Sequence, residues 1–207
     1  LDLSAGDNIP EECRRKKKIK TTYPPRASAE IPIGPVDTAE FMNASSQGKV
    51  KVIEMYLADG GNPNAQDELK RTALHRASLE GHTSALLIGW SSPTVFQLGS
   101  RAIHCACRGG SLEVVKALTN KEADLNVRDK LNSTPLHVAT RTGHTAIVEY
   151  LLSSGAKINS RDREGDTALH DAVRLNRYKI VKLLIAAEAD TKIKNHVSFT
   201  PCCAYLA

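Results

Sequence analysis

The chain has 207 residues, of which 41% are hydrophobic and only 4% aromatic, a balance that fits one or two globular domains or the thin aliphatic core of a solenoid. No apolar run reaches the roughly 18 residues of a membrane-spanning helix, and the first ten residues lack the apolar core of a signal peptide. The net charge of +5 permits contact with an acidic partner or with nucleic acid and demands neither.

Residues 1–36 carry Pro10, Pro24, Pro25, Pro32 and Pro35 and few large apolar residues, so a disordered leader is predicted. The chain begins at Leu1 and not Met, so further N-terminal sequence is expected. Within the leader, Arg14, Arg15, Lys16, Lys17, Lys18 and Lys20 form a dense basic run. Such a run reads as a nuclear import signal or as a solvated charged tail.

From residue 37 the sequence repeats. His104, His137 and His170 stand thirty-three residues apart, and a fixed period of that length is the mark of a stacked array. The cleanest unit is 132–164, which opens with Thr134-Pro135-Leu136-His137, the ankyrin signature at the ankyrin period. The units are 37–69, 70–98, 99–131, 132–164 and 165–197, with a partial sixth at 198–207. The first lacks the Thr-Pro-Leu-His box, yet Ala44 and Gly48 hold the slots of Ala139 and Gly143. The second begins regularly at Arg71 to His82, then falls four residues short. Gly89 stands in the slot of Leu118, Phe96 stands in the slot of Asp129, and Pro93 blocks a regular second helix. Natural divergence and a sequence or splicing anomaly both account for 83–98. A weakened second unit is expected to decouple repeat one from repeats three to five, with Trp90 as the probe.

The fold predicted is therefore all-α, an ankyrin-repeat solenoid of helix–turn–helix units joined by β-hairpin-like turns. Thr134 suits a helix cap and Pro135 the first helical position. Gly143 permits the turn between helices. Ile147, Val148, Leu151 and Leu152 form the inner stripe of the second helix, which Gly155 ends. Glu122 and Glu188 take the slot of Gly155, so those two helix ends are expected to fray.

Catalysis has no sequence support, for no zinc-protease, phosphate-loop or nucleophile-elbow motif occurs. The repeated histidines lie one per unit, roughly 10 Å apart if stacked like packed helices, too far to share a metal held at about 2 Å. They are read as bridges between the backbones of neighbouring repeats, while His82 and His144 read as capping or surface residues. The five cysteines are an odd set without a framework, which points to a reducing compartment. Cys105 and Cys107 lack zinc spacing and read as inert thiols. No metal and no cofactor are expected. Binding is what remains. The partner-facing candidates are Lys130, Asn132, Arg161, Arg163, Glu164 and Asp166 at the hairpin tips, with Arg76, Arg141, Asp171 and Arg174 on first helices. Asp162, Glu164, Asp166 and Asp171 are expected to face solvent. No helix combines Lys and Arg with base-reading residues, so direct nucleic-acid binding is not expected.

Several segments resemble the muscle ankyrin repeat proteins: Gly34-Pro35-Val36-Asp37, the stretches 57–61, 71–82 and 128–144, and above all 162–184, DREGDTALHDAVRLNRYKIVKLL. The resemblance implies a non-catalytic adaptor of striated muscle that binds the titin I-band region and other sarcomeric proteins. It also implies entry into the nucleus to modulate transcription factors, which the basic run fits. A general ankyrin inhibitor of a transcription factor and a purely structural scaffold are the alternatives. The family is expected to self-associate through an N-terminal helix. The corresponding region here is short and Pro-rich, so the oligomeric state stays open.

Overall fold

The computed structural model describes residues 34–87 and 101–201. The basic run at 14–20, Gly89, Trp90, Pro93 and Phe96, and Cys202 and Cys203 lie outside the described residues. Within them the helices pair as expected: α1 (Thr38–Gln47) with α2 (Val50–Ala58), α3 (Ala73–Glu80) with α4 (Thr83–Leu87), and α5 (Ala102–Gly109) with α6 (Leu112–Asn120). The last two pairs are α7 (Pro135–Thr142) with α8 (Thr145–Ser153), and α9 (Ala168–Arg174) with α10 (Tyr178–Ala186). No strand forms among the described residues. A single antiparallel bridge joins Gln66 and Thr72 across a hairpin.

The first helices pack in the order α1, α3, α5, α7, α9, and the second helices stack beside them in the order α2, α4, α6, α8, α10. Side chains at helical spacing fill the seam: Phe41, Ile53, Ile103, Leu136, Ile147, Leu151, Leu169, Ile180 and Leu184 are fully buried. Val36 is buried as well and joins this core, so the leader predicted for 1–36 gives way to the array one residue earlier. It precedes Asp37, whose Oδ1 accepts from the Glu40 amide at 2.6 Å and caps α1. Most of the divergent stretch 83–98 lies outside the described residues. Helix α3 packs on both α1 and α5, and the described turn of α4 packs on both α2 and α6. The Ala85 and Leu86 side chains of α4 remain buried there.

The turn between paired helices is left-handed, with φ of 67° at Gly48, 84° at Gly81, 78° at Gly110 and 84° at Gly143, while Asn176 takes the same slot at 54°. A second reason for glycine lies across the repeat boundary. A Cβ on Gly48 would sit 2.6 Å from the His82 ring, one on Gly110 2.5 Å from His144, and one on Gly143 2.9 Å from the Arg177 guanidinium. These three side chains fold back over the preceding turn. The His82 Nε2–H donates to the Ser46 carbonyl at 2.9 Å, the His144 Nε2–H to the Arg108 carbonyl at 3.3 Å, and Arg177 Nη2 to the Arg141 carbonyl at 3.3 Å. The capping or surface role expected of His82 and His144 is thus corrected to that of struts between repeats.

Glu122 and Glu188 do adopt the left-handed conformation, at φ of 61° and 62°, in the slot that Gly155 fills at 88°. A side chain there costs about 1 kcal/mol relative to glycine. Glu122→Gly is therefore expected to raise the thermal midpoint by roughly 2–4 °C in a domain of this size, read by far-UV dichroism. A midpoint that falls would show that the Glu122 side chain earns a compensating contact.

Candidate binding surface

Each repeated histidine sits at the third position of a first helix and is held from both sides. The Thr134 amide and hydroxyl donate to His137 Nδ1 at 3.2 and 2.8 Å, and the same pair joins Thr167 to His170 at 3.1 and 2.8 Å. The opposite nitrogen reaches into the next repeat. His104 Nε2–H donates to the Ser133 carbonyl at 3.0 Å, His137 to Asp166 at 3.0 Å and His170 to Phe199 at 3.2 Å. A carbonyl only accepts, so Nε2 carries the proton and Nδ1 is free to accept. These rings bridge backbones, as the spacing implied.

Burial pushes the His104 and His137 imidazoles below their ordinary range, against the pull of the carbonyls they donate to. The native state then binds fewer protons than the unfolded chain once pH drops below about 6.5. This contribution to stability is complete above that value and is lost as pH falls toward the folded pKa. His137→Gln removes one titrating group. The stability gap between wild type and H137Q in urea is therefore expected to narrow from pH 7 to pH 5, and a constant gap would rule out the linkage.

The hairpin tips are built on one acceptor, repeated. Asp129 Oδ1 accepts from the amides of Leu131 and Ser133, both at 2.9 Å, and Asp162 Oδ1 from those of Glu164 and Asp166, both at 2.9 Å. Asn195 does the same for Val197 and Phe199 at 3.2 and 2.9 Å, and Asp67 for Leu69 and Arg71 at 3.0 and 2.8 Å. Turning this side chain inward satisfies amides that no strand partner reaches. Neighbouring tips are also joined backbone to backbone, the Arg163 amide to the Leu131 carbonyl at 3.0 Å and the His196 amide to the Glu164 carbonyl at 3.1 Å.

Behind the tips lies a buried ionic network. Arg141 donates from Nε to Asp171 Oδ2 at 2.7 Å, from Nη2 to Asp162 Oδ2 at 2.6 Å and from Nη1 to Ser133 Oγ at 2.9 Å. Arg174 pairs with Asp171 and reaches Asp166 Oδ2 at 2.8 Å, while Asn195 Nδ2 donates to Asp166 Oδ1 at 2.7 Å. The run thus links repeat four to repeat five. Asp171 has no exposed surface, and burial pushes its carboxyl up to about 6 although Arg141 and Arg174 pull it down. Arg174 is also shifted upward, for a different reason: burial alone would lower its pKa, but Asp171 and Asp166 hold it above the ordinary value. Desolvation wins at Asp171 because the carboxyl loses all its water, whereas the neighbouring carboxylates win at Arg174 because its side chain stays 50% exposed. Near pH 7 both groups are charged.

The placements of the sequence candidates follow from this. Lys130, Asn132, Arg161, Arg163 and Glu164 are exposed at adjacent tips, and Arg174 keeps an exposed edge. Asp166 and Asp171, expected to face a partner, are instead 1% and 0% exposed and are corrected to interior members of the network. Asp162, expected in solvent, is buried too. Arg141 is half-buried and fully engaged. Arg76, also half-buried, is tied to Asp67 through Nε and Nη2 at 3.2 and 3.1 Å and to Asn43 at 3.3 Å. The sequence held a signal for Asp171: its slot is that of Cys105 and Val138, both buried. Arg128 was missed as a tip residue. It is exposed, and its Nη1 donates to the Asn132 carbonyl at 3.0 Å and to the Arg161 carbonyl at 2.6 Å.

A family model for ankyrin repeats, in three copies, matches residues 41–129, 85–162 and 103–195. The chain belongs to the ankyrin-repeat family. Human ankyrin repeat domain-containing protein 2 is 56% identical over 83 residues, which is 37% of this chain and 23% of that protein. Ankyrin repeat domain-containing protein 1 of Xenopus laevis is 50% identical over 79 residues, 38% of this chain and 24% of the relative, and its human counterpart is 50% identical over 66 residues, 31% and 21%. The matches thus span about a quarter of the length of these relatives. They are members of the muscle ankyrin repeat family that the sequence resembles. Ankyrin repeats are protein-interaction modules, and this array follows their plan. Its two described thiols lie inside it: burial raises Cys105, and pushes Cys107 up to about 12, out of reach of thiolate chemistry near neutral pH.

Proposed function

We propose that this ankyrin chain is a non-catalytic adaptor of striated muscle that links titin-based stretch sensing at the I band to transcriptional regulation in the nucleus. The carrying observation is the identity of 56% over 83 residues and 50% over 79 residues to ankyrin repeat domain-containing proteins 2 and 1. In support, Arg161, Arg163 and Glu164 lie exposed within the stretch that most resembles that family. Asp162 and Asp166 beside them are fixed by packing, so their identity speaks for the scaffold and not for a partner. In this reading Arg14, Arg15, Lys16, Lys17, Lys18 and Lys20 direct nuclear entry, and the tips and exposed first-helix edges hold titin, other sarcomeric proteins and transcription factors.

The test is affinity capture from skeletal-muscle lysate on the immobilised chain, read by mass spectrometry. Titin I-band fragments are expected in the eluate, and their absence beside an ankyrin array of unrelated surface would overturn the sarcomeric half. Alanine replacement of Arg14 to Lys18 tests the other half by location in myocytes. Unchanged nuclear entry would remove the basic run from the proposal.

A further inference from the structure

We propose that the fingertips of repeats three to five form a track for an extended acidic protein segment carrying a carboxylate about every third residue. This rests on the adaptor reading above and names the chemistry of one partner. Three consecutive tips place basic side chains on both sides of the inward Asp or Asn: Arg128 and Lys130, Arg161 and Arg163, Lys194 and His196. All six are exposed, and the residue between each pair is turned in to accept backbone amides. The pattern is thus two rows of basic side chains, thirty-three residues apart along each row.

The track is rigid before anything binds. Backbone bonds tie each tip to the next, Arg163 to Leu131 at 3.0 Å and His196 to Glu164 at 3.1 Å, and Arg128 reaches forward to the Arg161 carbonyl. A Cβ on Gly165 would lie 2.9 Å from the His196 ring, so that ring is seated against the preceding tip. Packed helices stand about 10 Å apart, and one turn of extended polyproline II chain, three residues and about 9 Å, brings every third side chain back to the same face. A carboxylate at every third residue would therefore meet successive rungs in register. Exposed Leu131 and Val197, at 55% and 80%, stand between the rungs and offer apolar contact to the intervening residues. The balancing acids have been withdrawn: Asp162 and Asp166 are buried on Arg141 and Arg174, Asp129 is half-buried, and Glu164 is the exposed carboxylate of the row, 3.9 Å from Arg174. In the sequence the basic pairs end before repeat three, where Val95 and Gln97 flank Phe96 in the slots of Arg128 and Lys130, and Gln66 and Glu68 flank Asp67 one unit earlier. The tips at 128–132, 161–165 and 194–198 carry no Phe, Tyr or Trp on which successive bases could stack, which favours a peptide over a single-stranded nucleic acid.

The test titrates the whole chain against fluorescein-labelled peptides of one composition, built from Glu, Leu and Ser. One has Glu at every third residue, one at every second, and one has its Glu in a block. An oligo-dT strand and phosphatidylserine vesicles serve as further probes. The three-residue peptide is expected to bind about tenfold or more tightly than the block peptide, with affinity falling as salt rises from about 50 to 200 mM. Arg161→Glu with Arg163→Glu and Lys194→Glu should abolish the preference, whereas Lys179→Glu with Lys182→Glu on α10 should leave it intact. If the charge-reversed variant does not fold, Lys130→Ser with Lys194→Ser gives the same reading with a smaller loss. Equal binding of all three peptides, indifference to the tip variants, or tighter binding of the oligonucleotide or vesicles would each overturn the track. Lysate capture of sarcomeric proteins that ignores the tip variants, with no peptide preference, sinks the track and leaves the adaptor reading standing. Peptide preference without sarcomeric capture does the reverse.

Discussion

Arg141→Ala is expected to destabilise the chain by about 3 kcal/mol, a large part of the roughly 5–15 kcal/mol that holds a domain together. The loss is large because Arg141 serves three acceptors at once, Asp162, Asp171 and Ser133, at 2.6 to 2.9 Å. Removing it leaves the Asp171 carboxyl with no exposed surface and only Arg174 beside it, and pushes it further toward the protonated form. That remaining partner is why the estimate sits at the low end of the range for a broken buried pair. Arg141→Lys should recover little, since a point ammonium cannot fork toward three acceptors. Asp171→Val supplies the residue found at the same slot in Val138 and removes the stranded carboxyl. The double variant R141A/D171V is therefore expected to be more stable than R141A alone, measured by urea denaturation. Should R141A unfold at the wild-type midpoint, the network would be a surface ornament and not a clamp between repeats.

The second large effect concerns Gly109. In an exposed helix, glycine to alanine stabilises by about 1 kcal/mol. Here the sign is expected to reverse. A Cβ on Gly109 would stand 1.9 Å from the Leu79 carbonyl oxygen and 2.8 Å from its carbon. Both are backbone atoms of α3, so no rotamer change relieves the clash, and α5 must retreat from α3 along their shared face. Overpacking of this kind costs about 1–3 kcal/mol on top of the helix gain it cancels. Gly60→Ala is the control, since nothing lies within 4 Å of a Cβ there and only its φ of 80° opposes the change. Its loss should stay near 1 kcal/mol. A thermal midpoint for G109A at or above wild type would mean that α3 and α5 are not held this close in solution.

These two sites also mark how far the sequence could be read. Periodicity disclosed the units, the helix pairs, the bridging histidines and the left-handed glutamates, because each is a local property copied at a fixed interval. Asp166 and Asp171 were misplaced because residue type was allowed to decide exposure. Their slots, occupied elsewhere by buried Ser133 and Val138, argued the opposite. Nothing in the sequence sets Gly109 apart from the turn glycine Gly110 beside it, since the approach of α3 is a fact about a neighbouring repeat. The struts from His82, His144 and Arg177 were hidden for the same reason: each acts thirty-six residues back, on a carbonyl that has no sequence mark. Arg128 was legible from the period, since it stands thirty-three residues before Arg161, which the same reading did name.

The bridges between repeats have a consequence for how the chain finds its structure. Histidine bonds run twenty-nine residues forward and strut bonds thirty-six back. Loop-closure entropy grows only with the logarithm of length, so spans this similar cost nearly the same to close. No interface along the array is entropically favoured as a starting point, and none waits on a distant one. Any neighbouring pair of repeats can serve as the nucleus, and growth then proceeds in either direction at the speed of local contacts. Chemistry therefore chooses where folding begins, and the pair joined by Arg141, where three carboxylates and two guanidiniums must come together, has the strongest claim.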